Sequence, residues 1–270
     1  MTSSRALLIV LSLVSVPVAS SQAADPGDLW NSGSSIRQVS WGTSSDRPLF
    51  GCIRPTDPQY NDFISPMTNP VFFEDPRTLT EARFIFLHHE IPTSLGGNDL
   101  QLYALHLRAA LTDRLSFIAT KDGFITSDNP LIRDGWADVA AGLKYNFYAN
   151  PQIQSLISVG VVFDMPVGTT RSLQGNGDGE LHLFLTGGVE LVENLHFVSG
   201  SGFRLPANRS QESQMWYWSN HLDYQIGDTG LYLLGETNWY HWMRSGKVFP
   251  VPVEGLDLAN LGSVGVAGND

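Results

Sequence analysis

From residue 137 to residue 147 the side chains alternate in kind. Ala137, Val139, Ala141, Leu143, Tyr145 and Phe147 are apolar or aromatic, while Asp138, Ala140, Gly142, Lys144 and Asn146 between them are small or polar. The same period of two runs through 153–163 and 181–191. Successive side chains of a strand point to opposite faces, so this pattern predicts strands with one apolar and one polar face. Nine such segments stand out, at about 81–89, 100–110, 115–122, 136–148, 153–165, 180–191, 195–204, 214–226 and 231–242, and a tenth is expected within 258–267. The links at 111–114, 149–152, 192–194 and 227–230 are tight; those at 90–99, 123–135, 166–179, 205–213 and 243–257 are long and rich in Gly, Pro, Asn and Ser. Parallel strands need a crossover of a dozen residues or more, so the tight links dictate an antiparallel meander.

Alternation does not say which face meets water. A soluble barrel or sandwich hides its apolar face, whereas a transmembrane barrel turns it to lipid. Three features favour lipid. The segments are long enough to match the roughly 9–11 residues that cross a bilayer. Short turns alternate with long loops, as in outer-membrane barrels. Aromatic residues gather near segment ends, at Tyr145, Phe147, Tyr148, Phe203, Trp216, Trp218, Tyr224, Trp239 and Trp242, where interfacial girdles place them. Charged residues make up only 16% of the chain, against about 25% in an ordinary soluble domain. The formal charge of −11 argues against a nucleic-acid partner, which needs a basic face. A single cysteine, Cys52, excludes an internal disulfide framework. The expected fold is therefore all-β, an antiparallel up-and-down transmembrane β-barrel of about ten to twelve strands. A secreted β-sandwich or soluble barrel is the rival.

The amino terminus fits a route to that destination. Arg5 precedes an apolar run from Ala6 to Ala19, and small residues follow to Ala24. This reads as a secretory signal over 1–24, cleaved after Ala23 or Ala24. The expected location is the cell outer membrane, with the lipid bilayer, the barrel-assembly machinery and a small-molecule solute as partners. Residues 25–79 carry seven prolines and keep no period, predicting an irregular segment with one short element near 71–73. The barrel is expected over 80–270.

The run from Asp62 to Arg77, DFISPMTNPVFFEDPR, and the run from Arg108 to Leu115, RAALTDRL, resemble planctomycete members of the meta-pathway phenol-degradation group of outer-membrane β-barrel proteins. The resemblance covers roughly residues 50–270. It implies a barrel that acts as a transporter for hydrophobic or aromatic solutes, and it implies no catalytic residue. Barrels of this kind usually end on a strand with a terminal aromatic residue. This chain ends Val266-Ala267-Gly268-Asn269-Asp270, which favours a sequence cut short of its last strands.

On the polar face the pattern places Arg83, Arg108, Lys144 and Arg204 with Asp138, Asp164, Glu180, Glu190, Asp223 and Glu236, together with His106, His182, His196 and His221. Four basic against six acidic groups predict a weakly cation-preferring lumen, or one that leaks little salt and passes amphipathic molecules. His221 and Asp223, two apart on one strand, share a face and would orient a general base, so an outer-membrane hydrolase acting on lipid stays open. A structural or adhesive barrel is the third alternative. The run His88-His89-Glu90 invites a metal, but only His88 and Glu90 share a face. Gly175-Asn176-Gly177-Asp178-Gly179 occurs once, where calcium-binding repeats stack many copies. The expectation is no catalytic residue, no metal and no cofactor.

Overall fold

The computed structural model describes residues 6–11, 52–91, 93, 96–175, 177–210 and 212–244. Twelve strands form one sheet: β1 (Ala6–Leu11), β2 (Glu81–Glu90), β3 (Asp99–Ala110), β4 (Leu115–Lys121), β5 (Gly123–Ser127), β6 (Gly135–Trp136), β7 (Val139–Asn150), β8 (Ser155–Met165), β9 (Glu180–Val192), β10 (Leu195–Pro206), β11 (Gln214–Gln225) and β12 (Tyr232–Arg244). All nine expected segments are strands. Every pairing is antiparallel, and from β7 to β12 each strand pairs with the next in sequence. The sheet curls into a half-barrel. The tenth segment, 258–267, lies outside the described residues.

One expected loop is in part strand. Residues 123–135 hold β5 and β6, and β5 continues the ladder of β4 along β3: Leu107 faces Ala119, and Tyr103 faces Phe124. The break is a local bulge at Asp122, whose carbonyl still accepts from the Leu105 N–H at 2.8 Å. A bulge hides the continuation from a reading that depends on unbroken alternation. The true connection there is only the turn at 128–134.

The two faces of the wall differ in kind. Leu143, Leu185, Val159, Phe163 and Trp218 point outward and are 41–49% exposed, while Lys144, Ser158, Thr186, Arg204 and Ser219 point inward at 0–1%. Many polar and charged groups are therefore buried beside an apolar core that includes Ile118, Val162, Phe184 and Met215, while large apolar groups are exposed on the outer face. Outward-facing aromatics lie toward both ends of the strands. Phe203, Trp216 and Trp239 stand near the long-loop end, and Tyr145, Phe147 and Tyr224 near the short-turn end. Trp216 and Tyr224 on β11 are separated by about 27 Å of strand at roughly 3.4 Å per residue. No helix among the described residues is long and apolar enough to cross a membrane.

Six residues of the expected export signal form β1 and pair with β2, from Ala6 opposite His89 to Leu11 opposite Phe84. An apolar, β-branched run with its own backbone groups to satisfy is what the bare edge of β2 recruits. At the other edge, β12 pairs only with β11 among the described residues.

Candidate functional site: the plugged interior

The concave face does not enclose an open lumen. The Pro-rich segment from Arg54 to Thr80 runs through it, with Phe63, Phe72, Phe73, Glu74 and Asp75 buried. Its regular structure is one short turn of 3-10 helix at Pro58–Tyr60 and an isolated bridge from Arg54 to Ala110. The short element expected near 71–73 is a turn, closed by the Phe73 N–H on the Asn69 carbonyl at 2.9 Å. Irregular backbone in an interior needs partners for every N–H and C=O it brings. The inner wall supplies them. Arg83 donates to the Pro66 carbonyl at 2.9 Å, Tyr217 to Phe72 at 2.6 Å and Thr186 to Glu74 at 2.8 Å, and Ser158 donates to Pro76. The Glu236 carboxylate accepts from the N–H groups of Met67 at 2.8 Å and Thr68 at 2.7 Å. Because Tyr217 gives its only proton to Phe72, the His182 Nε2 contact at 2.8 Å needs Nε2–H as donor.

At the centre stands Glu74. Arg108 grips it with two bonds, Nε to Oε1 at 2.8 Å and Nη2 to Oε2 at 2.7 Å, and Lys144 Nζ reaches Oε1 at 2.8 Å. Arg108 also bonds Glu81, and His106 lies 3.5 Å from Glu74. Burial alone would raise the Glu74 carboxyl, but Arg108 and Lys144 hold it well below the usual carboxylate range. Asp75 is depressed likewise against its own burial, chiefly by Arg77, whose Nη2 bonds Oδ2 at 2.7 Å. Arg77 further donates to the carbonyls of Tyr60 and Phe63 at 3.1 and 2.7 Å, folding the plug upon itself. Apolar rings fill the gaps. Phe63 packs tilted against His196 with centroids 4.6 Å apart, and Phe73 lies where a Cβ on Gly200 would stand 2.9 Å from its ring.

A second layer closes the long-loop end. Asp138 accepts from the N–H groups of Gly168 and Gly175, each at 2.8 Å, and so draws the β8–β9 loop inward. Lys121 Nζ pairs with Asp164 at 2.6 Å and stands 3.6 Å from Asp138. Arg204 pairs with Glu180. Gly177, at φ +77°, takes a backbone shape that side chains avoid, and a Cβ there would lie 2.4 Å from the Glu212 carboxylate. Burial first, then the neighbouring Glu180, pushes the Glu212 carboxyl up to about 8.

The fourteen residues placed on the polar face by pattern all line this interior or its rims, but their roles differ from those expected. Arg83, Arg108, Lys144 and Glu236 bind the plug. Asp138, Asp164, Glu180 and Arg204 tie down the rim, and Glu190 accepts from the Asn194 N–H at 3.1 Å in the β9–β10 turn. Most of these charges meet an opposite charge, as a buried charge without a partner is costly: Arg108 and Lys144 meet Glu74, Lys121 meets Asp164, and Arg204 meets Glu180. Glu236, His221, Asp223 and His196 form one chain of contacts at 2.7, 3.0 and 2.8 Å. Both ring nitrogens of His221 are committed to carboxylates. The pairing of His221 with Asp223 expected from their spacing is present, with Glu236 on the other ring nitrogen.

Sequence reasoning missed Glu74, Asp75 and Arg77, because nothing periodic marks them. The available signal was their place in the Pro-rich leader: an acid pair and an arginine among aromatics suit a buried segment better than a solvated one.

Beside the plug lies a cavity of about 190 Å³. Thr68 to Phe72 form one side, Ile85, Leu87, Leu102 and Ala104 the opposite wall, and Tyr240 of β12 the far margin. Thr120, Lys121 and Asp122 give it one polar end. No family model matches this chain, and neither a curated protein nor a solved structure is similar to it.

Proposed function

We propose that this chain is an outer-membrane β-barrel that admits small hydrophobic or aromatic solutes past a fixed plug. The observation that carries the reading is the cavity, set in a wall with its polar face inward. An apolar cavity of 150 Å³ accommodates benzene, so about 190 Å³ suits one aromatic ring with a polar substituent. The polar end at Thr120, Lys121 and Asp122 would meet that substituent. Salt would pass poorly, since the interior charges are paired and the centre is filled. Export by a cleaved signal, whose removal would take β1 from the edge of β2, and passage through the assembly machinery belong to the same reading. So does the kinship with phenol-pathway transporters, which rests on the Asp62–Arg77 and Arg108–Leu115 runs.

Calorimetric titration of benzyl alcohol into the refolded full chain, paired with uptake by proteoliposomes, tests this. Saturable binding that Ala104→Trp abolishes is the expected result, with glucose flux at the level of empty vesicles. Free passage of sugars and salts, or aromatic binding indifferent to Ala104→Trp, would remove the assignment. The hydrolase alternative predicts phospholipid cleavage lost in His221→Ala; the committed ring nitrogens of His221 count against it.

A further inference from the structure

Outside the interior, one cluster of ligand-type side chains serves neither the plug nor the rim. On the outer face, β2 and β3 climb in register from Phe86 opposite Tyr103, through His88 opposite Gln101, to Glu90 opposite Asp99 at the mouth of their hairpin. His88 and Glu90 share a face by their spacing, and the cross-strand register adds Asp99 to it. One ligand atom from each of the three lies within 4.8 Å of the others, with His88 Nε2 and Asp99 Oδ2 3.9 Å apart. We propose that His88, Glu90 and Asp99 bind a divalent transition-metal ion such as Zn²⁺ or Mn²⁺.

Two independent features point to a cation. Glu90 and Asp99 are like charges directly opposite each other, a destabilising pair in an antiparallel ladder. No Lys or Arg among the described residues is ion-paired with either of them; the only basic partner is His88. The second feature is rigidity. The Asp99 carbonyl accepts from the Asp128 N–H at 3.0 Å, and the hairpin loop is docked on its neighbour by Asn129 Nδ2 on the Gly97 carbonyl at 2.7 Å and Asn98 Nδ2 on the Asp128 carbonyl at 3.0 Å. The ligands therefore stand on fixed backbone, as a preorganised site requires.

The donor set selects the ion. One imidazole and two carboxylates suit zinc or manganese better than calcium or magnesium, which favour oxygen alone. Around a tetrahedral centre with bonds of about 2.0–2.2 Å, ligand atoms stand roughly 3.4 Å apart, so the three need to close by about 1 Å through side-chain torsions. Three protein ligands leave at least one position for water. The site faces away from the plug and does not depend on what the interior transports.

Equilibrium dialysis of the metal-stripped, refolded full chain against Zn²⁺ and Mn²⁺ provides the test. The expected result is one ion per chain, with affinity lowered at least tenfold by His88→Gln, by Asp99→Asn and by Glu90→Gln. His89→Gln, next in sequence but on the inner face, should leave binding unchanged. Circular dichroism of each variant confirms that the exposed substitutions leave the fold intact. Absence of binding at millimolar ion would overturn the proposal, leaving His88 and Asp99 a weak ion pair. Binding that survives His88→Gln and Asp99→Asn would overturn it as well.

Discussion

The inner and outer faces of one strand obey opposite rules. On β9, His182, Phe184 and Thr186 are buried, while Leu183 and Leu185 between them are exposed. The outer face is mainly apolar, and its contacts are between neighbouring strands, as where Trp216 meets Trp239 edge-on at 4.9 Å and Phe86 lies 5.2 Å from Tyr103. The inner face is a polar surface on which Arg83, Arg108, Lys144, Ser158, Thr186, Tyr217 and Glu236 each bond the plug, while buried atoms such as Ser116 Oγ and Glu180 Oε2 lack a hydrogen-bond partner among the described residues. The outer face is thus mainly apolar, with the carboxylates of Glu90 and Asp99 at a strand end, and the inner face gathers the buried charges. A period of two therefore describes a wall but not its contents.

The largest effect is expected inside. Glu74→Ala leaves Arg108 and Lys144 buried against each other, and breaking a buried pair from one side costs about 3–5 kcal/mol. The plug should then dissociate from the wall, and limited proteolysis should cut between Tyr60 and Arg77 where the native chain resists. Resistance equal to that of the native chain would mean that the plug is held by its aromatic rings alone.

Outside, Leu185→Arg places a charge on the exposed band. In a bilayer that costs about 2–4 kcal/mol near the midplane, whereas Glu193→Arg, in the exposed turn before β10, should stay within about 0.5 kcal/mol. Folding yield into lipid vesicles separates the two. Equal yields would erase the distinction between wall and turn.

Acid should loosen the plug before it harms the wall. Glu74 and Asp75 are held below their unfolded values of about 4.3 and 3.9. Their stabilisation is therefore full above about pH 5 and is lost as the pH falls through the depressed folded values. Protease sensitivity of the plug should rise below about pH 4 while the circular dichroism of the sheet persists. Glu212 has the opposite sign and the smallest effect. Its carboxyl titrates at about 8 in the fold against about 4.3 unfolded, so its contribution is full below pH 4 and fades as the pH rises through 8. Amide protection around Glu212, taken relative to the base-catalysed intrinsic exchange rate, should fall above pH 8 in the native chain and stay flat in Glu212→Gln.

The strands were legible because burial repeats every second residue. Lys144, flanked by Leu143 and Tyr145, announces its own face. The turns were legible for the same reason, through their length. Two things were not legible. The bulge at Asp122 broke a long strand into what read as a loop, because a pattern reading cannot tell an irregular pairing from an ending. The plug carries no period at all. Its order comes from side chains elsewhere in the chain, such as Arg83 on the Pro66 carbonyl 17 residues away and Glu236 on the Met67 N–H 169 residues away, and no local signal encodes such contacts. Asp99 was missed as the neighbour of His88 and Glu90 for the same reason, since cross-strand register is a property of the pair and not of either strand.

The central claim is that the exposed apolar face meets lipid. Spin labels at position 143 or 185, in a Cys52→Ser background reconstituted in lipid vesicles, report it most directly through their collisions with dissolved oxygen and with a water-soluble nickel chelate. The account predicts that both outward positions collide with oxygen far more often than with nickel, and that a label at 193 in the β9–β10 turn shows the reverse. Nickel-dominated collisions at 143 and 185 in a folded chain would place that face in water and contradict the account.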